Sequence, residues 1–468
     1  MQEELLERRL GKAGKKSPKS TKKSKKKEAP SMSPSVSPSV SPSVSPSVSP
    51  SVSPSVSPTC IGGIDGIWTQ LGSNIDGQDC PSADKKPYIY DTNDIVSMSS
   101  DGTIVAIGAP APVSPGYLEN PPPGGYVSVY KYDSGSWTQL GGNIDFDDNG
   151  SIPKSGYSVS LSGDGTIVAI GSPQGFDTRV YEYDNQNNNW NWKGTPFGGE
   201  PQSDTGFSVS ISSNGSFVAL GAPRGTTAKL KGRVKVYEYY GSKWRVKGKG
   251  TVTDNSGGTI GEYEGDQSGD SISMSDDGSI IAIGAPKNRA DSGHVRVYEY
   301  DNNNDTWIQM GADLDGDGAG DRFSVVSLSS NGRVAAIGGF GSTGYVKVYK
   351  YNDTDWNQLG ATINGDDQDD QFGVSVSMSD DGSIVAIGAT TPNNSGGYVR
   401  VYKYDGDSNA WNQIGNTISG VSRNSHFGYS VSLSSEGSIV GIAAPFDYGG
   451  INEDIFGKVR VFELQPCP

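Results

Sequence analysis

Seven copies of one four-strand pattern, a tryptophan-led strand ahead of the first copy, and a last copy lacking that strand predict an all-β, seven-bladed β-propeller. The copies are recognised by a hairpin: IVSMSSDGTIVAIGAP from Ile95, YSVSLSGDGTIVAIGSP from Tyr157, FSVSISSNGSFVALGAP from Phe207, and four variants further on. Their turn glycines are Gly102, Gly165, Gly215, Gly278, Gly332, Gly382 and Gly437. The spacings of 63, 50, 63, 54, 50 and 55 residues each hold four short strands and their turns.

The first strand of each copy, A, is an alternating Ser-Val-Ser run, and the second, B, is almost continuously apolar. Asp-Gly or Asn-Gly joins them, as a tight hairpin turn requires. Strand C alternates, as in Tyr398-Val-Arg-Val-Tyr-Lys-Tyr404, and strand D opens on tryptophan, as in Trp411-Asn-Gln-Ile-Gly415. Small residues on A and B suit strands crowded near an axis, while Tyr and Trp on C and D suit the wider rim. Trp68, Trp137, Trp190, Trp244, Trp307, Trp356 and Trp411 mark seven D strands. The last copy stops after its C strand, Val459–Leu464, so the strand at Trp68 is expected to complete the final blade and remove its open edge. Cys60 and Cys467 flank that closure and are expected to form a disulfide. Cys80 falls at the far end of the same strand, roughly 25 Å away or more at strand rise, and is expected to be free.

Two segments precede the propeller, which is expected over residues 59–468. Residues 1–30 contain KAGKKSPKSTKKSKKK from Lys12, a solvated basic tail that can bury no apolar surface. It could contact a polyanion or mineral, and it looks like the lysine-rich clusters of silica-associated proteins. Residues 31–58 repeat Ser-Pro-Ser-Val, which admits neither helix nor sheet. An extended stalk on the order of 85 Å is expected, resembling linkers of algal wall and matrix proteins. Residues 1–58 carry a net charge of +7 and the remainder −22, so the acidic body argues against nucleic-acid binding. No apolar run is long enough to span a bilayer. Met1–Leu10 shows no apolar leader region, so either the standard secretion route is not used or the true start lies upstream. With 2 His, at 294 and 426, and 3 Cys, a three-histidine zinc site, an iron–sulfur ligand set and a dense disulfide scaffold are all excluded.

The repeat resembles the FG-GAP repeat of integrin-α-type propellers, especially its secreted microbial and algal relatives. The resemblance rests on Phe372-Gly373 and Phe427-Gly428 before strand A, and on Gly108-Ala-Pro110, Gly221-Ala-Pro223 and Gly284-Ala-Pro286 at the end of strand B. It covers residues 64–464 and implies adhesion or recognition rather than catalysis. Asp313-Leu-Asp315-Gly-Asp317-Gly-Ala-Gly-Asp321 matches the calcium loop of such repeats at every ligand position. Alternating carboxylates on a glycine-bearing loop are the hard oxygen donors that Ca²⁺ requires, so a structural calcium is expected on Asp313, Asp315, Asp317 and Asp321. The loop precedes strand A here, whereas in the family it joins A to B. The loops at Asp145–Asn149 and Asp366–Asp370 are weaker echoes, expected to be solvated.

Lys231, Arg233 and Lys235 alternate along one C strand, and Arg245, Lys247 and Lys249 along the next D strand. They form a possible anion site or a plain surface stripe. Glycosylation sequons stand at Asn149, Asn214, Asn304, Asn352 and Asn393. The expected protein is a secreted or surface-held, monomeric recognition module that binds a glycan or protein ligand through its face loops and is not an enzyme. The alternatives are a structural wall or mineral-matrix component anchored by the lysine tail, an enzyme with its site in the central funnel, and an intracellular location.

Overall fold

Serine alternates with an apolar residue along the A strands because each strand faces two environments: the apolar side chain enters the packing between blades, and serine faces the neighbouring A strand. In the computed structural model this alternation produces seven four-stranded antiparallel blades in a ring. The structure describes residues 66–77, 95–110, 125–145, 155–173, 177–198, 204–224, 232–248, 259–261, 265–341, 344–367, 370–390, 396–423, 425–447 and 457–466. The basic tail, the stalk, the three cysteines with their expected Cys60–Cys467 bridge, Lys231, Lys249, Asn149 and Asn393 lie outside the described residues.

Blade 4 shows the plan: A is Ser271–Met274, B is Ile280–Ala285, C is His294–Asp301 and D is Thr306–Gln309. After a kink at Gly311, the chain pairs again with the start of C as a two-residue strand, D′, at Leu314–Asp315. Strand D of blade 7 is Ile67–Gln70, paired antiparallel with Lys458–Gln465 from Ile67↔Gln465 to Gln70↔Phe462. The ring therefore closes as the sequence implies. The core lies between blades. Ile280, Ala282, Val295 and Val297 of blade 4 pack on Phe323, Val326, Leu328 and Ile337 of blade 5.

Three closed belts of hydrogen bonds tie the ring. Innermost, the N–H closing each A strand donates to a serine hydroxyl of the preceding blade, for example Leu161 to Ser97, Leu328 to Ser273 and Met98 to Ser432, at 2.9–3.1 Å throughout. At the A–B turns a backbone belt runs Ser100, Gly163, Ser213, Asp276, Ser330, Asp380, Ser435 and back to Ser100, each N–H donating to the next carbonyl. At the rim, each D-strand tryptophan donates its indole N–H to a carbonyl of the previous blade, at 2.7–3.2 Å; the acceptor stands just after the D strand in six cases and within Ala410–Ser419 for Trp68.

The motif glycines mark close approaches of backbone between blades. A Cβ on Gly388 would stand 2.0 Å from the Gly428 carbonyl of the next blade, and Gly428 itself has φ of +88°. Blade 5 has Phe323-Ser324 in place of Phe-Gly, and its strand A starts early with a register shift between Phe323 and Val325.

The two poles differ. One carries the A–B turns, five residues between strands in every blade, and C–D turns of two to four. The other carries all the long connections: B–C links of 4 to 16 residues and D–A links of 7 to 19.

Candidate functional site

A cluster of charged side chains sits at the long-loop pole of blade 4. Leu314 of strand D′ points into the core, so Asp313 and Asp315 on either side of it share the opposite face. His294 lies across the ladder from Asp315, and Arg296 follows on the same face of strand C. The Arg296 guanidinium grips Asp313 as a fork, Nε to Oδ1 and Nη2 to Oδ2, both at 2.8 Å, and Gln309 adds a bond of 2.9 Å. The Arg296 bonds above all hold the Asp313 carboxyl down at about 2, against the opposing effect of burial, with Gln309 and His294 assisting. Asp315 accepts from Arg289 Nη1 at 2.7 Å through Oδ2, while its Oδ1 is buried without a hydrogen-bond partner. His294, 1% exposed, places Nδ1 3.9 Å from Asp313 Oδ2 and 3.9 Å from Asp315 Oδ1.

Asp317 and Asp321 turn elsewhere. Lys347 of blade 5 donates to Asp317 at 2.5 Å, and Asp321 accepts from the Tyr345 hydroxyl at 2.9 Å and the Gly318 N–H at 2.8 Å. Burial raises the Tyr345 hydroxyl pKa first, and the Asp321 carboxylate adds to it. The backbone of this loop is stitched to the B–C turn of blade 4. The Gly316, Gly320, Arg322 and Phe323 N–H groups donate to carbonyls of Gly293, Ala290, Asp291 and Ser292. In that turn Arg289, Ala290 and Asp291 are consecutively left-handed, which costs non-glycine residues energy.

The expected calcium ligands are thus divided. Ca²⁺ takes six to eight oxygens, whereas Asp317 and Asp321 each close on blade 5. Among the described residues, the group whose ligand atoms all fall within 4.8 Å of one another is His294, Asp313 and Asp315. As placed, the four aspartates do not fit a calcium cage. The same clasp recurs one blade on: Asp366 pairs with Arg400, and Asp370 accepts from the Tyr398 hydroxyl. The loop expected to be solvated there is a cross-blade tie. His294 was missed as a partner because it stands alone in sequence. The available signal was positional, since it heads a C strand at the place of Tyr345 and Tyr398.

The basic stripe is dispersed. Lys247 bonds Glu238 at 3.2 Å and lies over the Phe217 and Tyr300 rings, while Arg245 stacks on Tyr240. Arg233 and Lys235 pair with strand D′, whereas Arg245 lies opposite Glu238, about 10–17 Å further along the strand. Asn214, Asn304 and Asn352 are exposed turn residues. At the other pole, Asp276 in the axial belt has its carboxyl pushed up to about 6, by desolvation first and then by Asp380 and Asp277.

No protein-family model matches the chain, and no curated protein matches it in sequence. Solved structures similar in fold include the β-propeller domain of Cps50 (Swd1) from Myceliophteria thermophila. It has 10% identity and a TM-score of 0.49, over 81% of this chain and 99% of that one. The periplasmic gluconolactonase PpgL of Pseudomonas aeruginosa has 14% identity and a TM-score of 0.47, over 70% and 86%. Hydrazine synthase of Kuenenia stuttgartiensis has 11% identity and a TM-score of 0.49, over 78% and 96%. At such identities and TM-scores the likeness carries no statement about this chain's activity, and the propeller fold rests on the seven blades themselves. The expectation that the chain is not an enzyme is nonetheless corrected: chains titled as enzymes stand among these neighbours, and a propeller body does not mark a protein as non-catalytic. Among the described residues no helix is long and apolar enough to cross a membrane.

Proposed function

We propose that the chain is a recognition propeller of the FG-GAP, integrin-α-like kind, which binds a glycan or protein ligand at its long-loop pole and is displayed on the outside of a cell or wall. The observation that carries this reading is the asymmetry of the two poles. Turns of two to five residues cap one end, while the connections that differ widely in length from blade to blade leave from the other. Loops of varied length on a rigid scaffold are where binding groups accumulate. The motif glycines support the family: Gly373 and Gly428 of the Phe-Gly pairs lie against Gly338 and Gly388, and Gly108, Gly221 and Gly284 of the Gly-Ala-Pro runs lie against the backbone of Gly156, Gly269 and Ser324, each in the adjacent blade. The test is a glycan array probed with the full chain, with a variant whose blade 1 B–C loop, residues 111–124, is shortened to four residues. Retained binding in that variant and in equivalent truncations of the other long loops would move the ligand off this pole.

One observation favours a second reading, a ligand or reaction site at the axial mouth of the tight-turn pole. Asp276 and Asp380 lie two blades apart in the belt at the A–B turns, and desolvation first, then the Asp380 charge, push the Asp276 carboxyl up to about 6. Any activity or ligand uptake located there is expected to fall in Asp276→Asn and to be untouched by loop truncation.

A further inference from the structure

We infer that His294, Asp313 and Asp315 form a binding site for a divalent transition-metal ion at the long-loop pole of blade 4. The donor set is one imidazole nitrogen and two carboxylate oxygens, a mixture suited to zinc and its neighbours rather than to calcium, which takes oxygen. The geometry is close to closed. Nδ1 of His294 is 3.9 Å from one oxygen of each aspartate, and ligands about 2.1 Å from a zinc ion stand about 3.4 Å apart. A contraction of about half an ångström would bring both His–Asp distances to that spacing, and the ligand atoms of all three residues lie within 4.8 Å of one another.

Asp315 Oδ1 supplies the independent mark of a missing partner. It is buried, it makes no hydrogen bond, and it lies 3.9 Å from the imidazole Nδ1. Leaving such an acceptor unsatisfied is costly, and an ion between it and His294 would satisfy it. The outer contacts already match those of a metal site, in which the ligating carboxylates are held by further hydrogen bonds. Arg296 and Gln309 fix Asp313, and Arg289 fixes the far oxygen of Asp315. The bond from Arg296 to Asp313 Oδ2 leaves that oxygen a second lone pair. His294 closes the buried side, while the Asp313 and Asp315 side chains, 24% and 38% exposed, leave a fourth position open to water. The two guanidinium charges oppose a cation, so binding is expected to be reversible.

Isothermal titration of the full chain with Zn²⁺, its thiols blocked by alkylation, tests the site. One binding event is expected, weakened at least ~10-fold in His294→Ala and in Asp315→Asn. It should be unchanged in Asp317→Asn and not displaced by millimolar Ca²⁺. Circular dichroism checks the fold of each variant, and Asp315→Asn, which keeps the side chain's shape, decides the matter if His294→Ala does not fold. Absence of zinc binding, or affinity indifferent to Asp315→Asn, overturns the site. Displacement by Ca²⁺ together with weakening in Asp317→Asn also overturns it, and would return the loop to an all-oxygen calcium centre.

Discussion

Asp276 keeps its proton to about pH 6 because the axial mouth desolvates it and Asp380 opposes its charge. The unfolded chain loses that proton near 3.8, so the folded state binds more protons between about pH 4 and 6. Stability contributed by this group is therefore present below pH 4, declines as pH rises to 6, and stays lost above. Asp276→Asn is expected to stabilise the protein at pH 8 by on the order of 1 kcal/mol after discounting for solvent. It should change nothing at pH 4, and thermal melts at the two values check this. Asp313 has the opposite sign: with its folded value near 2, its pairing with Arg296 is lost as pH falls from about 4 through 2. Gly388→Ala is expected to cost about 3 kcal/mol, because a Cβ there drives into the Gly428 carbonyl and the Ser375 hydroxyl, and two backbones must part to admit it. Urea denaturation reads this as a lower midpoint at unchanged slope.

At the scale of the blade, the tryptophan belt separates structural from dispensable aromatics. Trp356 is buried and donates to the Met310 carbonyl, whereas Trp192 is 54% exposed. Trp356→Phe is expected to lower stability by about 1 kcal/mol or more and Trp192→Phe to leave it within about 0.5 kcal/mol, measured side by side in urea. The strands were legible because their signals are local. The Asp-Gly turns are tied by their own side chains, with Ser99 bonding Asp101 at 2.7 Å and accepting from the Ile104 N–H at 2.9 Å. The fate of the acidic loop was not legible. Asp317 and Asp321 pair with Lys347 and Tyr345, 30 and 24 residues on in the next blade, and their spacing alone reads as a calcium ligand set. His294 reached Asp315 only through the pairing of strand C with D′, a two-residue strand too short to announce itself.

For the whole molecule, closure is the decisive link, and it was legible because the count of D strands could be balanced against the count of copies. Ile67–Gln70 covers the edge of Lys458–Gln465, and Trp68, 4% exposed, packs among Ile414, Ile418 and Val440. Deleting residues 1–70 leaves that edge unpaired, and unpaired edges seek other chains. The deleted protein is expected to self-associate with concentration in light scattering while the full chain does not.

The closing strand also sets how the molecule answers to tension. D strands run from the tight-turn pole toward the long-loop pole, so Ile67 lies at the end opposite the varied loops. A pull on Ile67 against a load at the far end acts on Ile67–Gln70 along its own length. Its ladder with Lys458–Gln465 and the Trp68 bond to Ile414 must then slide together rather than peel apart one by one. Rupture under load is governed by the barrier to that concerted slip, so the seam that completes the circle is also its mechanical fuse.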